Sequence, residues 1–405
     1  MKQLLKQSQI NVKENNLRLI LNTIITREPI SRADLMRNTK ISKPTVSHLI
    51  TELLQRNIIY EIGIGESKGG RRPILLKFNS TKKYFLTIDI GREDYRIAVS
   101  DLKGVIRKSI NGVFKKSQKV HTRLNLIKTK VFSLFEELTI EADDILKAIC
   151  SCPGTYVGNG KEFQWFPRTD EIGYYDIHDF FQKELAIEIE TKHATKLALF
   201  GEKVAGSAKK CNNAIYIDFG YGLGCSLLIN GEIYFGPFNS SGEIGYFYTN
   251  IEEFKQYKIK RYEHGPLCNR ISGRAIQGKG ITALQKKKEG ILPELVDGDT
   301  NQITGKTIFQ AAKLNDRVSK DILKDAFEHF NMALCNMINI FTPELVILGG
   351  GFSHSGEFLL SCILDEIKDK VLFMPKIELS SLKDEASIIG GIHYLIQNTD
   401  FLKVL

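Results

Sequence analysis

Between Asn15 and Ile25 the apolar residues Leu17, Leu19, Ile20, Leu21, Ile24 and Ile25 recur at steps of three and four, the period of an amphipathic helix, and Arg27-Glu28-Pro29 ends it. Ser31 opens a second, short helix as its N-cap, with Asp34 in the capping-box position, and that helix closes near Asn38. The polar turn Asn38-Thr39-Lys40 leads to Ser42, a second N-cap, then to Pro44 in the first turn of a third helix running to about Arg56. In it Val46, Leu49, Ile50, Leu53 and Leu54 form the stripe expected inside. Ser42, Lys43, Thr45, Ser47, His48 and Thr51 lie on or near the other side. Two strand-like runs follow, Ile58–Gly63 and Ile74–Phe78, around a glycine-rich tip that carries Lys68, Arg71 and Arg72, the pattern of a β-hairpin.

Past Asn79–Lys83 the chain turns strand-rich. Phe85–Gly91 is an apolar strand ending in Asp89-Ile90-Gly91, and a returning strand runs from Ile97 to a turn at Gly104. The same unit recurs at Ala214–Gly220 with its return at Cys225–Ile229, where Asn230-Gly231 is a strong hairpin turn. A repeated strand-loop-hairpin followed by alternating helices and strands predicts two related α/β domains with a ligand cleft between them. Ala148–Gly154 reads as a buried strand running into Pro153-Gly154, Pro343–Gly351 as a strand entering a glycine loop, and Ala386–Ile392 as the start of a closing helix. The expected domains are 1–80, then 84–195 together with 386–405, then 196–385.

The 405 residues suffice for two to four domains, and 42% hydrophobic content excludes disorder as the main state. No apolar run nears the ~18–20 residues of a spanning helix, and the start lacks a signal-peptide core, so a cytoplasmic protein without membrane attachment is expected. Seven scattered cysteines, an odd number, suggest reduced thiols. The formal charge of +9 is uneven: residues 1–83 hold sixteen Lys and Arg against six Asp and Glu, and the remainder forty against forty-one. A basic N-terminal unit on a neutral body points to an anionic polymer as partner. Two short helices joined by a tight turn form a helix-turn-helix, whose third-helix polar face suits phosphates and base edges of double-stranded DNA; for His48 an ordinary surface role is equally open. The hairpin tip reads as a wing able to reach phosphates or the minor groove.

Together these features resemble the ROK family (repressors, open reading frames and sugar kinases), in particular its repressor branch with an N-terminal winged helix-turn-helix. The resemblance rests on Ile217-Asp218-Phe219-Gly220-Tyr221-Gly222-Leu223-Gly224 through Gly242-Glu243-Ile244-Gly245, on Asp89-Ile90-Gly91, Pro153-Gly154 and Gly349-Gly350-Gly351, and on Gly69-Gly70-Arg71-Arg72-Pro73. It implies two actin-like, ribonuclease-H-like α/β domains. Family kinases carry an Asn-Asp pair, the Asp being the general base; counted back from Gly201-Glu202 the pair falls on His193-Ala194, and alanine accepts no proton. The first phosphate loop reads Gly91-Arg92-Glu93-Asp94, and in the second Tyr221 replaces a small hydroxyl residue. At the family's zinc ligands stand Tyr246, Ile259, Arg261 and Pro266, so neither zinc nor another cofactor is expected. Of the sugar-holding groups Glu243 survives, and Cys268 stands where relatives have a second Glu. The implied effector positions are Pro153, Gly154, His193, Glu243, Tyr246 and Cys268, with Glu243 as a mere hairpin-end carboxylate kept as an alternative. The expected protein is a homodimeric or homotetrameric DNA-binding regulator of carbohydrate genes, answering to a sugar or sugar-phosphate effector. A constitutive regulator with a vestigial cleft and a sugar kinase with an accessory DNA module are the alternatives.

Overall fold

The computed structural model describes residues 2–64, 72–115, 118–157, 162–165, 177–258, 264–286 and 290–405. The N-terminal unit consists of α1 (Lys2–Arg27), β1 (Ile30–Ser31), α2 (Arg32–Thr39), α3 (Lys43–Gln55), β2 (Ile59–Ile64) and β3 (Ile74–Phe78). The first lobe follows with β4 (Tyr84–Ile90), β5 (Asp94–Asp101), β6 (Ile106–Val113), α4 (Val120–Leu138), β7 (Ile145–Cys152), β8 (Gly154–Val157), β9 (Glu162–Trp165), α5 (Ile177–Leu185) and β10 (Ile189–His193). The second lobe opens with α6 (Ala194–Val204), β11 (Ala214–Phe219), β12 (Leu223–Ile229) and β13 (Glu232–Tyr234). The helices α7 (Ile251–Gln256), α8 (Cys268–Ile271), α9 (Gly273–Lys286), α10 (Ile291–Leu295), α11 (Gly305–Lys313) and α12 (Arg317–Phe341) come next. The chain ends with β14 (Leu345–Gly349), α13 (Glu357–Ile367), β15 (Lys376–Leu379), α14 (Ala386–Gln397) and α15 (Phe401–Val404).

Local chemistry explains the N-terminal unit. Ser31 and Asp34 make the reciprocal capping box that starts α2, and Lys40 in the left-handed region stops it. Ser42 stands at the N-cap of α3 but makes no capping bond; its hydroxyl lies 2.9 Å from that of Thr45 instead, and Pro44 supplies the preset first turn. Val46, Leu49, Ile50 and Leu53 are buried as expected, while Leu54 is half-buried. The first helix is longer than its apolar period: it begins at Lys2 rather than Asn15, because the polar stretch before Asn15 contains no Pro or Gly to stop it. β2 and β3 pair antiparallel from Ile59 opposite Phe78 to Ile64 opposite Ile74, and β1 adds on the far side of β3. Lys68 and Arg71 lie outside the described residues; Arg72 is exposed.

The two lobes repeat one topology. Their sheets run β6-β5-β4-β7-β10 and β13-β12-β11-β14-β15, and in each the first two neighbour pairs are antiparallel and the last two parallel. The turn between β12 and β13 takes positive φ at both Asn230 (53°) and Gly231 (83°), the geometry for which this residue pair is suited. Helix α14 covers the first sheet, α6 covers the second, and the two helices pack against each other. They can do so because two glycines face opposing backbone: a methyl group on Gly390 would collide with the Leu197 carbonyl oxygen, and one on Gly201 with that of Ala386. Beside them the fully buried Glu202 accepts from the Ser380 hydroxyl (2.6 Å), the Ser381 hydroxyl (2.8 Å) and the amides of Ser207 (2.6 Å) and Leu382 (3.0 Å).

The N-terminal unit is not hung on a linker. Its buried side shares one apolar cluster with Leu102, Ile149, Leu197 and Leu395 of the body. The Phe401 ring sits 5.7 Å from Phe78 and 6.4 Å from Phe85, Arg18 pairs with Asp400, and Arg56 donates to the Leu402 carbonyl.

Substituting Gly390→Ala should lower stability by about 3 kcal/mol through overpacking against Leu197. In contrast Gly278→Ala, on an open face of α9 with nothing near the added methyl, should raise it by up to about 1 kcal/mol. Urea midpoints of both variants check this, and equal effects would remove the close-packing account.

Candidate functional site

One cavity lies where β10 meets α6, with space of about 30 Å³ for water-sized groups, and it is lined by His193, Thr195, Lys196, Leu223–Cys225, Asn239 and Ser241–Glu243. His193 and Glu243, both singled out in the sequence, line this one pocket. Pro153, Gly154, Tyr246 and Cys268 are not among the lining residues. Gly154 acts from behind through a backbone hydrogen bond to the His193 ring. Cys268 is buried behind Gly245, with its sulfur 3.4 Å from His264 Nδ1. Of the zinc-position residues, Ile259 and Arg261 lie outside the described residues.

Lys196 is visible in the sequence only as a position without a carboxylate, yet it dominates the electrostatics. It stands in the first turn of α6, almost wholly buried, and donates to the carbonyls of Tyr234 (3.2 Å) and Ser241 (2.6 Å) and to the Ser241 hydroxyl. Burial pulls its ammonium down to about 8. Neighbouring Glu243 is pushed up to about 7, because burial outweighs the attraction of Lys196. His193 is lowered to about 4 by burial and by the Lys196 charge, against its bond to Gly154. Its Nδ1 accepts from the Thr195 amide (3.2 Å), which caps α6, and lies 2.8 Å from the Thr195 hydroxyl. That hydroxyl in turn receives the Ser226 hydroxyl at 3.0 Å. The pocket is therefore a polar, hydrogen-bonding chamber containing one carboxylate without a hydrogen-bond partner among the described residues. Ala194 supplies nothing to it that could take a proton.

Deeper along the cleft, where the resemblance places phosphates, the two Asp-x-Gly strand ends bring acids together. Asp89 accepts from Ser151 Oγ at 2.7 Å, and Arg96 reaches Asp94 at 2.8 Å, Asp89 at 3.5 Å and Asp384 at 3.7 Å. Burial raises Asp89, and burial together with the nearby Asp89 raises Asp218 to about 6. This is a poor bed for a triphosphate.

On the N-terminal unit, Ser42, Lys43, Ser47, His48 and Thr51 of α3 are exposed and Thr45 is half-buried. The Thr51 hydroxyl is committed to the Ser47 carbonyl (3.0 Å), so among the described residues Lys43, Ser47 and His48 are the exposed α3 groups without a side-chain partner. Among the described residues no helix is long and apolar enough to cross a membrane, and no three His, Cys, Asp or Glu side chains are grouped as a metal site.

Paired five-stranded lobes of one topology, closed by the α6–α14 contact around a polar pocket, define an α/β fold of the actin-like sugar-kinase type. The chain belongs to the ROK family, whose sequence pattern matches residues 85–398. It is 28% identical over 397 residues to the xylose repressor of Caldicellulosiruptor bescii, covering 96% of each chain. It is 27% identical over 363 residues to that of Bacillus spizizenii, covering 90% of this chain and 89% of the other. Among solved structures, a ROK family transcriptional regulator, described as a homologue of the E. coli MLC protein, superimposes with a TM-score of 0.71 at 20% identity, covering 95% and 96%. A ROK glucokinase from Streptomyces griseus, in complex with glucose and AMPPNP, superimposes with a TM-score of 0.63 at 20% identity, covering 78% of this chain and all of that one.

Glu243 yields a pH test. Its carboxyl titrates near 4.5 when unfolded and near 7 when folded, so the folded state binds the extra proton and stability falls as pH rises through that window. Glu243→Gln should match the parent near pH 4.5 and exceed it by about 3 kcal/mol at pH 8. Parallel melting curves of the two proteins across pH 4.5–8 would sink this.

Proposed function

We propose that this chain is a DNA-binding transcriptional repressor of carbohydrate genes, whose kinase-like body senses a sugar rather than phosphorylating one. The observation that carries the reading is α3: its apolar stripe is buried while Lys43, Ser47 and His48 project, and its unit shares an apolar cluster with a ROK body. We read α2, the turn at Lys40 and α3 as a helix-turn-helix and β2–β3 as its wing, on which Arg72 is exposed. Two copies in a homodimer would set their α3 faces in successive major grooves, half-sites lying a turn or a multiple of it apart. That xylose repressors match over nearly the whole chain supports the repressor role and makes D-xylose the first effector to try. Ala194 in place of the general base speaks against kinase chemistry. The chain works as a cytoplasmic protein in this reading, with reduced thiols.

A constitutive repressor is the second reading, favoured by one observation: the pocket is small, and the three Lys196 donors already have acceptors. Fluorescence anisotropy on DNA selected from a random library tests both. D-xylose, N-acetylglucosamine and their phosphates are then added in turn. Release of DNA by one of them supports the sensor, and the constitutive reading stands if none changes affinity. Arg71→Ala with Arg72→Ala should weaken binding across sequences and lower the salt slope by roughly one for each phosphate that is no longer neutralised. Unchanged slope and affinity would take the wing out of the interface.

A further inference from the structure

The residues that depart from the family pattern in the two phosphate loops meet each other. Arg92, in the β4–β5 loop of the first lobe, lays its guanidinium over the ring of Tyr221, in the β11–β12 loop of the second, with 3.2 Å from the guanidinium carbon to the ring centroid. Each partner is anchored on its own side. The Arg92 carbonyl accepts from Arg123 Nη1 of α4 at 2.8 Å. The Gly220 and Tyr221 carbonyls accept from the Gly273 amide (3.0 Å) and the Arg274 amide (3.4 Å) at the start of α9. A second link runs alongside: Arg96 on β5 lies 3.7 Å from Asp384, which lies 3.4 Å from His354 Nε2 in the loop after β14. These contacts lie between the lobes, beside the buried carboxyls of Asp89 and Asp218.

We propose that Arg92 and Tyr221 form an interlobe clasp across the former nucleotide mouth, so that closure of the cleft is set by the chain's own side chains instead of by a bound nucleotide. A planar guanidinium stacks on an aromatic face only when the two loops are within a few ångströms, so opening the lobes breaks the stack and wets both groups. Loop anchoring then turns a side-chain pair into a constraint on whole lobes. A pair that merely filled space within one lobe would lack that leverage. The proposal stands apart from the repressor reading, because it concerns the protein without DNA or sugar.

The test is hydrogen exchange on the full chain carrying Arg92→Ala, Tyr221→Ala, or both. Each single change should raise exchange of residues 90–94 and of residues 219–224 together, roughly fivefold, including the loop that was not altered. The double variant should exchange no faster than the faster single, because either change alone already abolishes the stack. Tyr221→Phe, which keeps the ring, should behave as the parent, and Tyr221→Leu serves if an alanine variant does not fold. Exchange that rises only in the altered loop, or a double variant showing the product of the two single effects, would overturn the clasp.

Discussion

Everything in this molecule hangs on two helices touching at backbone distance. Helix α6 belongs to one sheet and α14 to the other, and Gly201 and Gly390 remove the side chains that would hold them apart. A contact this close fixes the separation of the two helices at that point. Glu202 reinforces the same point by gathering two hydroxyls and two amides from the chain on either side. A buried carboxylate with four donors is costly to leave half-satisfied, which fixes the path of residues 380–382 into α14. The Gly201-Glu202 pair therefore marks where the two lobes meet, and Lys196 and His193, about one turn and two turns upstream on the same stretch, place the pocket next to that contact.

On either side of that contact the cleft differs in character. The pocket beside α6 is a chamber of hydroxyls, an imidazole, an ammonium and one carboxylate, with the ammonium and the carboxylate brought toward neutrality by burial. On the other side acidic strand ends surround Arg96, and Arg92 meets Tyr221. Arg92 over Tyr221 and the Arg96–Asp384 link thus join the lobes with the chain's own side chains.

Local rules in the sequence carry a long way. The capping box at Ser31, the hairpin at Asn230-Gly231 and the duplicated Asp-x-Gly strands are legible because each is decided by residues a few positions apart. His193 and Glu243 are legible through spacing against a known pattern. What cannot be read is set by partners far along the chain. Lys196 looks like a surface residue until the Tyr234 and Ser241 carbonyls surround it. Arg92 and Tyr221 are two separate oddities 129 positions apart until the lobes fold together. The start of α1 is hidden for another reason: a polar helix has no apolar period, and absence of a breaker is a weak signal.

A change of composition near residue 80 suggests a detachable N-terminal unit, but Phe401 lies between Phe78 and Phe85, and Arg18 and Arg56 hold Asp400 and Leu402. The unit's core is thus built from both ends of the chain. Anyone grafting it onto another body, or another such unit onto this one, has to transplant two segments: the first eighty residues and the turn that begins at Asp400. The N-terminal unit and the last turn of the chain form one matched piece.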